Sequence, residues 1–380
     1  MAEHGKLDEK VVDVIAAASE GAFNDAGECV KPLVGLEFFP PRTTQGVDNL
    51  RERLQRLKKV GPVFADFTWG AGGSTADLTL DLTLEAKHAH GLRPNMHLTC
   101  TNMPLERIES ALRRCREEGV TNIVALRGDP PAGADHWERS EGGLGCALDL
   151  VGYVREHYGD YFCISVAGYP EGHPDRIKVR EGGVESLSES ELTRYSVDAA
   201  GQVQVCGDED WEAELAYLKA KCDAGADVII TQMFFDASVY GRFVQECRRV
   251  GITAPVIPGI MCINAYAGFH RMTGLCKTRV PPELRKRMEA IKDDDAAIKA
   301  FGVEYGEELC RALLKHGAPV LHFYTLNLEK VTVGILRRLG LAGEYEAAPA
   351  AEKKLNGTAA VTNGTAAATN GTAPVPALAV

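Results

Sequence analysis

Eight short apolar segments recur along the chain. Each closes on a polar or Gly/Pro cluster, and a stretch with helical spacing follows. The first is Leu33-Val-Gly-Leu-Glu-Phe-Phe-Pro-Pro41. The next four run Val63–Trp69, Asn95–Cys100, Asn122–Asp129 and Phe162–Pro170. The last three are Asp227–Gln232, Pro255–Ile260 and Val320–Leu326. Runs this short and apolar fit strands covered on both faces, and apolar residues at i, i+3, i+4 between them fit amphipathic helices. The spacing predicts helices near 47–59, 76–90, 105–118, from about 148, then 211–224, 239–250, 265–275, 282–291, 294–316 and 329–339. A further helix over about 8–17 precedes the first strand within an N-terminal extension, 1–30.

Repeated strand–helix alternation predicts an α/β chain folded as a (β/α)8 TIM barrel with an extra N-terminal helix. The competing α/β arrangement is a doubly wound open sheet, which would carry a glycine fingerprint after its first strand. Here Pro-Pro-Arg follows instead. The polar stretch 175–210 interrupts the rhythm. It is too long for an ordinary βα loop and reads as a surface excursion or lid without a core of its own. From about 347 the near-repeat Asn-Gly-Thr-Ala predicts disorder, so the domain reading is a barrel over 31–342 and a low-complexity tail over 343–380. The Asn-x-Thr matches in that tail read as accidental, because no secretory signal is present.

The chain has 380 residues, 45% hydrophobic and 25% charged, enough for a large core. Its net charge of −11 argues against nucleic acid and anionic membrane as partners. The 11 cysteines stand singly with no CxxC pair, which points to reduced thiols rather than a disulfide framework or zinc site. Cys100 and Cys163 read as core thiols. No apolar run reaches spanning length. A cytoplasmic protein is expected.

Chemistry concentrates at the ends of the strands. Glu37 sits among apolar neighbours at the end of the first, a setting that favours the protonated acid and suits a general acid. Arg127-Gly-Asp129 ends an otherwise apolar strand, at the rim where barrels keep functional groups. Gln232, Tyr324 and Asn327 close later strands in the same way. Lys221 belongs either to a solvated helix face or to the site, and Tyr169 either caps the barrel or lines the site. The cluster Gly70-Ala-Gly-Gly73 lacks the third glycine of a dinucleotide fingerprint and reads as a turn. His88, His90 and His97 do not share a face, so no metal site is expected and the first two should be exposed.

Several of these segments stand in one familiar order: Gly35–Arg42, His97–Cys100, Asn122–Asp129, Tyr169–Pro174, Asp223–Gln232, Pro258–Ile260 and His322–Asn327. Across roughly 30–342 the chain resembles the catalytic barrel of the methylenetetrahydrofolate reductase family. The resemblance implies bound FAD, reduced by NADH or NADPH. Hydride from flavin N5 then converts 5,10-methylenetetrahydrofolate to 5-methyltetrahydrofolate. It implies that Glu37 is the general acid for opening the folate ring and that Asp129 stands between flavin and pterin. FAD contacts fall on Thr68, Trp69, Ala71, His97, Arg127, Gly128, Asp129, Ala147, Tyr169, His173 and Lys221. The folate site takes Gln232, Asp129, Tyr324 and Thr68. A homo-oligomer, dimer or tetramer, is implied as well.

The chain departs from the family at several places. Cys262 stands where members often have Pro, and Leu328 where some have Arg. Glu214 and Tyr217 replace Asp and Asn of bacterial members. The rival readings are a flavin barrel acting on an amino acid such as proline, and a non-catalytic folate-binding subunit. Many eukaryotic members carry a C-terminal domain that senses S-adenosylmethionine, whereas this sequence runs into the Asn-Gly-Thr tail. Turnover of this chain is therefore expected to be the same with and without S-adenosylmethionine, and clear inhibition in that assay would refute the expectation.

Overall fold

The computed structural model describes residues 7–70, 75–100, 103–128 and 142–345. Strands β1 (Leu33–Phe38), β2 (Phe64–Phe67), β3 (Pro94–Thr99), β4 (Asn122–Leu126) and β5 (Cys163–Gly168) pair in parallel, each with the next. Beyond β5 lies β9 (Val228–Thr231), and β12 (Val320–Tyr324) pairs with β1 from the other side. Each strand is buried on both faces. In β1 the side chains of Val34, Leu36 and Phe38 pack outward in the main core, while Gly35 and Glu37 alternate inward.

The seventh strand is two pieces. β10 (Val256–Ile257) pairs with β9, and β11 (Gly259–Met261) pairs with β12. Pro258 lies between them. It has no N–H to donate, so one continuous ladder cannot run through it. The two halves therefore serve different neighbours and close the barrel. At this seam Gly259 donates its N–H to Thr231 Oγ1 at 3.0 Å. A Cβ on Gly259 would overlap the Thr231 carbonyl oxygen and the Tyr324 hydroxyl.

Helices cover the outside: α2 (Thr44–Leu57), α3 (Ala76–His88), α4 (Leu105–Glu117), α5 (Ala147–Tyr158), α6 (Asp208–Asp223) and α7 (Ala237–Arg249). After β11 come α8 (Tyr266–Leu275), α9 (Pro282–Ala290) and α10 (Asp295–Lys315), and α11 (Lys330–Arg338) follows β12. Local chemistry marks several starts. Thr43, Asp236 and Asp294 accept N-terminal N–H groups of α2, α7 and α10, and Pro282 opens α9.

The N-terminal helix α1 (Val11–Ser19) closes the N-terminal end of the barrel. Val11 and Ile15 join Phe64, Val124, Val228 and Ile257 in one buried cluster. Asn122 Oδ1 accepts the Val11 N–H at 2.7 Å, and Thr121 donates to the Asp8 carbonyl at 3.0 Å. The described part of the start is thus held in place. The tail from 346 onward lies outside the described residues.

The stretch 175–210 differs from the coreless excursion that its polarity suggested. It forms a three-stranded antiparallel sheet of β6 (Ile177–Val179), β7 (Ser196–Val197) and β8 (Val203–Cys206), with β8 central. Ile177, Val203, Val205 and Cys206 are buried, together with Arg194 and Glu191. Arg194 donates to the Cys206 carbonyl at 2.8 Å, pairs with Asp208 at 2.5 Å and lies 5.0 Å over the Trp211 ring. Glu191 pairs with Arg180. A core built from charged pairs has no hydrophobic periodicity to read.

Replacing Gly259 by Ala should destabilise the fold by about 1–3 kcal/mol, because the seam cannot admit a methyl group. Urea unfolding measures this, and an unchanged midpoint would contradict the packing described.

Candidate active site

Parallel pairing carries the C-terminal ends of the strands to one mouth, where barrels of this kind place their chemistry. Register sets Glu37 of β1 opposite Asp66 of β2 and Tyr324 of β12. All three point into the lumen, joined by His97 of β3 and His322 of β12. None is more than 3% exposed. His97 Nε2 lies 3.3 Å from Asp66 Oδ2 and 3.7 Å from Glu37 Oε2. His322 Nε2 lies 3.3 Å and 3.9 Å from the same two atoms.

Two carboxyl groups and two imidazoles thus share one dry pocket. Burial raises the Glu37 pKa above the ordinary carboxylic range, and the nearby imidazoles only partly offset this. Burial also acts upward on Asp66, but the close approach of the His322 imidazole and the contact with His97 outweigh it, so Asp66 titrates below its ordinary value. Burial acts downward on His322, but Asp66 reverses it and holds the imidazole up at about 9. The arrangement therefore pushes two carboxyl groups of one cluster in opposite directions, Glu37 toward its neutral form and Asp66 toward its ionised form.

The exit of β12 fixes the exit of β1. Thr325 Oγ1 donates to the Glu37 carbonyl at 2.6 Å. Asn327 accepts the Phe39 N–H at 3.0 Å and donates to the Phe39 carbonyl at 2.8 Å. Leu326 and Asn327 both adopt positive φ, 53° and 56°. For Leu this is a strained backbone, held by the surrounding bonds.

Beside this cluster, at the exits of β4 and β5, opens a cavity of about 450 Å³. Arg127, Gly128, Ala147, Tyr169, His173 and Lys221 line it, and Arg176, Glu214 and Tyr217 complete one wall. Lys221 is fully buried. Its Nζ donates to the Ala167 carbonyl at 2.7 Å, and burial lowers its pKa to about 8. Burial likewise lowers His173 to about 4. Arg127 reaches Asp175 at 3.4 Å, and Arg176 pairs with Glu214 at 2.5 Å. A cavity with this many cations and aromatic walls fits the phosphate-and-sugar portion of a dinucleotide such as FAD. A buried ammonium with one protein acceptor has further N–H groups to offer an anion.

Comparison with known proteins decides the family. The family model described as methylenetetrahydrofolate reductase matches residues 23–340. The chain belongs to the methylenetetrahydrofolate reductase family. It is 48% identical over 335 residues to "Methylenetetrahydrofolate reductase (NADH) 1" of Arabidopsis thaliana, covering 88% of this chain and 51% of that protein. To "Methylenetetrahydrofolate reductase 2" of Saccharomyces cerevisiae it is 40% identical, over 84% of this chain and 50% of that one. To "5,10-methylenetetrahydrofolate reductase" of Salmonella typhimurium it is 31% identical, over 81% of this chain and 90% of that one. The chain spans about half the length of the plant and yeast relatives.

Six residues expected to hold the family's flavin line the one cavity. His97 instead sits in the acid cluster, in contact with Glu37 and Asp66. Thr68 and Trp69 follow β2 and are buried. The Thr68 N–H donates to the Phe38 carbonyl at 2.9 Å, beside the exit of β1. Gln232 follows β9, and its Oε1 accepts the Met233 N–H at 2.9 Å. Tyr324 is wholly buried in the seam and donates to the Thr231 carbonyl at 2.6 Å. Ala71 and Asp129 lie outside the described residues. Cys262, where members of the methylenetetrahydrofolate reductase family often carry Pro, is buried with its sulfur 3.1 Å from Thr332 Oγ1.

One expectation is corrected. His88 is exposed and pairs with Glu118, but His90 is 3% exposed and lies 3.4 Å from Glu85. The turn after α3 folds it back against that helix. Cys100 and Cys163 are buried core thiols, each raised to about 12 by burial.

Sequence reasoning did not single out Asp66 or His322. Both occupy inward positions of the two-residue alternation, which was the available signal: Phe64 and Asp66 on β2, and Val320, His322 and Tyr324 on β12.

Lys221→Met gives a stability test with a definite sign. The folded-state pKa lies below the unfolded one, so the charged form is penalised fully below about pH 8 and the penalty disappears above about 10.5. Ligand-free Lys221→Met should exceed the parent in unfolding free energy by about 1–3 kcal/mol at pH 7, and the gain should fade toward pH 10.5. Denaturant unfolding at both pH values checks this. A loss of stability at pH 7 would contradict the assigned strain.

Proposed function

We propose that this chain carries the flavin-dependent reduction of 5,10-methylenetetrahydrofolate to 5-methyltetrahydrofolate with NADH or NADPH, within a barrel over 31–342. One observation carries the reading. A buried carboxyl group whose pKa is raised by that burial, Glu37, stands at the same end of the barrel as the cation-lined cavity. Ring opening of the folate needs a proton at a ring nitrogen, and a buried acid with a raised pKa supplies one at neutral pH. Family membership supports the substrate class.

In this reading Arg127 and Lys221 hold the diphosphate, and Tyr169 and His173 wall the sugar end. Bound FAD would accept hydride from the nicotinamide and pass it to the folate carbon. Gln232 orients whichever of nicotinamide or folate is present, and Asp129 hydrogen-bonds the pterin. Glu37 donates its proton to the folate nitrogen as the five-membered ring opens. The O–H bond of Glu37 breaks, the N–H bond forms, and the carboxylate left behind faces two imidazoles. The apolar cover of Phe38 and Trp69 outside the strands keeps water from the far side of these groups.

Glu37→Gln separates the two half-reactions. Stopped-flow flavin absorbance should show reduction by NAD(P)H within a few-fold of the parent. Reoxidation by methylenetetrahydrofolate should fall by about 10²–10⁴-fold. Equal collapse of both phases would overturn the role given to Glu37.

A further inference from the structure

Glu37 does not sit alone. Its inner neighbour Asp66 is 0% exposed, and so is His322 between them. A carboxylate in such a place is sustained only by a partner of opposite charge. The titratable groups facing the Glu37–Asp66 pair are His97 from β3 and His322 and Tyr324 from β12. Both imidazoles approach the same Asp66 oxygen.

The lumen is shaped around His322. Phe64 stacks on its ring at 5.1 Å with planes 28° apart, and Tyr324 meets it edge-on at 5.4 Å and 88°. Residue 35 is glycine, and a Cβ there would lie 2.6 Å from His322 Nδ1 and 2.7 Å from the Phe64 ring. The ring is therefore clamped with Nε2 toward both carboxyl groups. Glu37 Oε2 and both His322 nitrogens have no well-aligned hydrogen bond among the described residues, although Nε2 lies within ion-pair reach of the carboxyl oxygens. This leaves Glu37 Oε2 electrostatically coupled to the imidazole without a directional bond at that oxygen.

We propose that Asp66 and His322 form a buried carboxylate–imidazolium pair that acts as the positioning partner of Glu37, placing a fixed positive charge against the carboxylate that Glu37 becomes on releasing its proton. The inference rests on the general-acid reading of Glu37 and extends it. Asp66 is negative, His322 positive and Glu37 neutral before the step. Afterwards the Glu37 proton is on the substrate nitrogen, and the new carboxylate lies 3.9 Å from His322 Nε2. The imidazolium keeps its own proton throughout, and Glu37 is reprotonated from solvent between turnovers. The same pair has a second consequence. Without the imidazolium the buried acid would hold its proton more tightly, since burial and the Asp66 charge both act upward.

The test is the pH dependence of the two half-reactions of the flavin-loaded protein, in the parent, Asp66→Asn and His322→Gln. In the parent, flavin reoxidation by methylenetetrahydrofolate should fall at high pH as Glu37 loses its proton. Reduction by NAD(P)H should not carry that limb. His322→Gln removes the imidazolium, so the limb should move up by about one to three pH units. Asp66→Asn removes the imidazolium together with the Asp66 charge that opposes it, so its limb should move up less. The plateau rate should drop about tenfold or more as Glu37 becomes the weaker acid. A limb that stays in place or moves down in both variants overturns the proposal.

If either variant fails to fold, the other decides. If both fail, spectra of the parent labelled with 15N-histidine decide. An imidazolium persisting at about pH 8 supports the pair, and only neutral imidazoles there overturn it. Should the reduced parent enzyme not be reoxidised by methylenetetrahydrofolate at any pH, the function proposed above fails. The same histidine spectra then still report the charge of the pair.

Discussion

The structure turns on one constraint: two carboxyl groups have been taken out of water side by side, and their surroundings push their pKa values in opposite directions. Removing a carboxylate from water costs several kcal/mol even after relaxation. Glu37 meets that cost through a pKa raised by burial, which favours its neutral form. Asp66 meets it by drawing charge onto an imidazole. Two similar side chains, placed opposite each other on adjacent strands, thus take opposite roles. Pairs of titratable groups whose surroundings push their pKa values apart are how acid and counter-charge roles are divided between like side chains.

The barrel makes this division possible. Parallel register brings residues that are far apart in sequence, on β1, β2, β3 and β12, into one layer of the lumen. The lumen then needs room for rings, which Gly35 supplies, and a closed seam, which Gly259 and Pro258 supply. The exit of β12 anchors the exit of β1 through Asn327 and Thr325, so that Glu37 is held from its own backbone. Cation-bearing residues collect beside this cluster, at the exits of β4 and β5 and on α6. The buried acid cluster and the cation-lined cavity thus draw on different strands of one barrel. The polar sheet of 175–210 reinforces that side. Lys277 reaches across to the Pro174 and Ile177 carbonyls at 2.7 and 2.6 Å, and the buried Glu171 accepts the Arg279 N–H.

Much of this was legible in the chain. Strand–helix alternation gave the barrel because both faces of each strand are apolar enough to register as short runs. Glu37 stood out because its neighbours Leu36, Phe38 and Phe39 made its setting conspicuous. The cavity residues Arg127, Tyr169, His173 and Lys221 were recognised through motif order, and they do converge. Three things were not legible, each for a physical reason. The split of the seventh strand depends on which neighbour each half pairs with, a long-range fact that Pro258 hints at but does not determine. The sheet of 175–210 has strands of two to four residues, and its few buried apolar residues, Ile177, Val203, Val205 and Cys206, share the core with the charged Glu191 and Arg194, so the pattern is too short and too mixed to read. The partnership of Asp66 and His322 needs a register between distant strands. Alternation shows that each points inward, but not that they meet.

The account stands most directly on the protonation of Glu37 in the folded protein at neutral pH. Infrared difference spectroscopy of the parent against Glu37→Gln reads this without requiring turnover. The account predicts a carboxylic-acid carbonyl band at pH 7 that is present in the parent, shifts in deuterium oxide and is missing from the variant. A difference spectrum containing only carboxylate bands at that pH would mean that Glu37 is already ionised, and the central claim would be wrong.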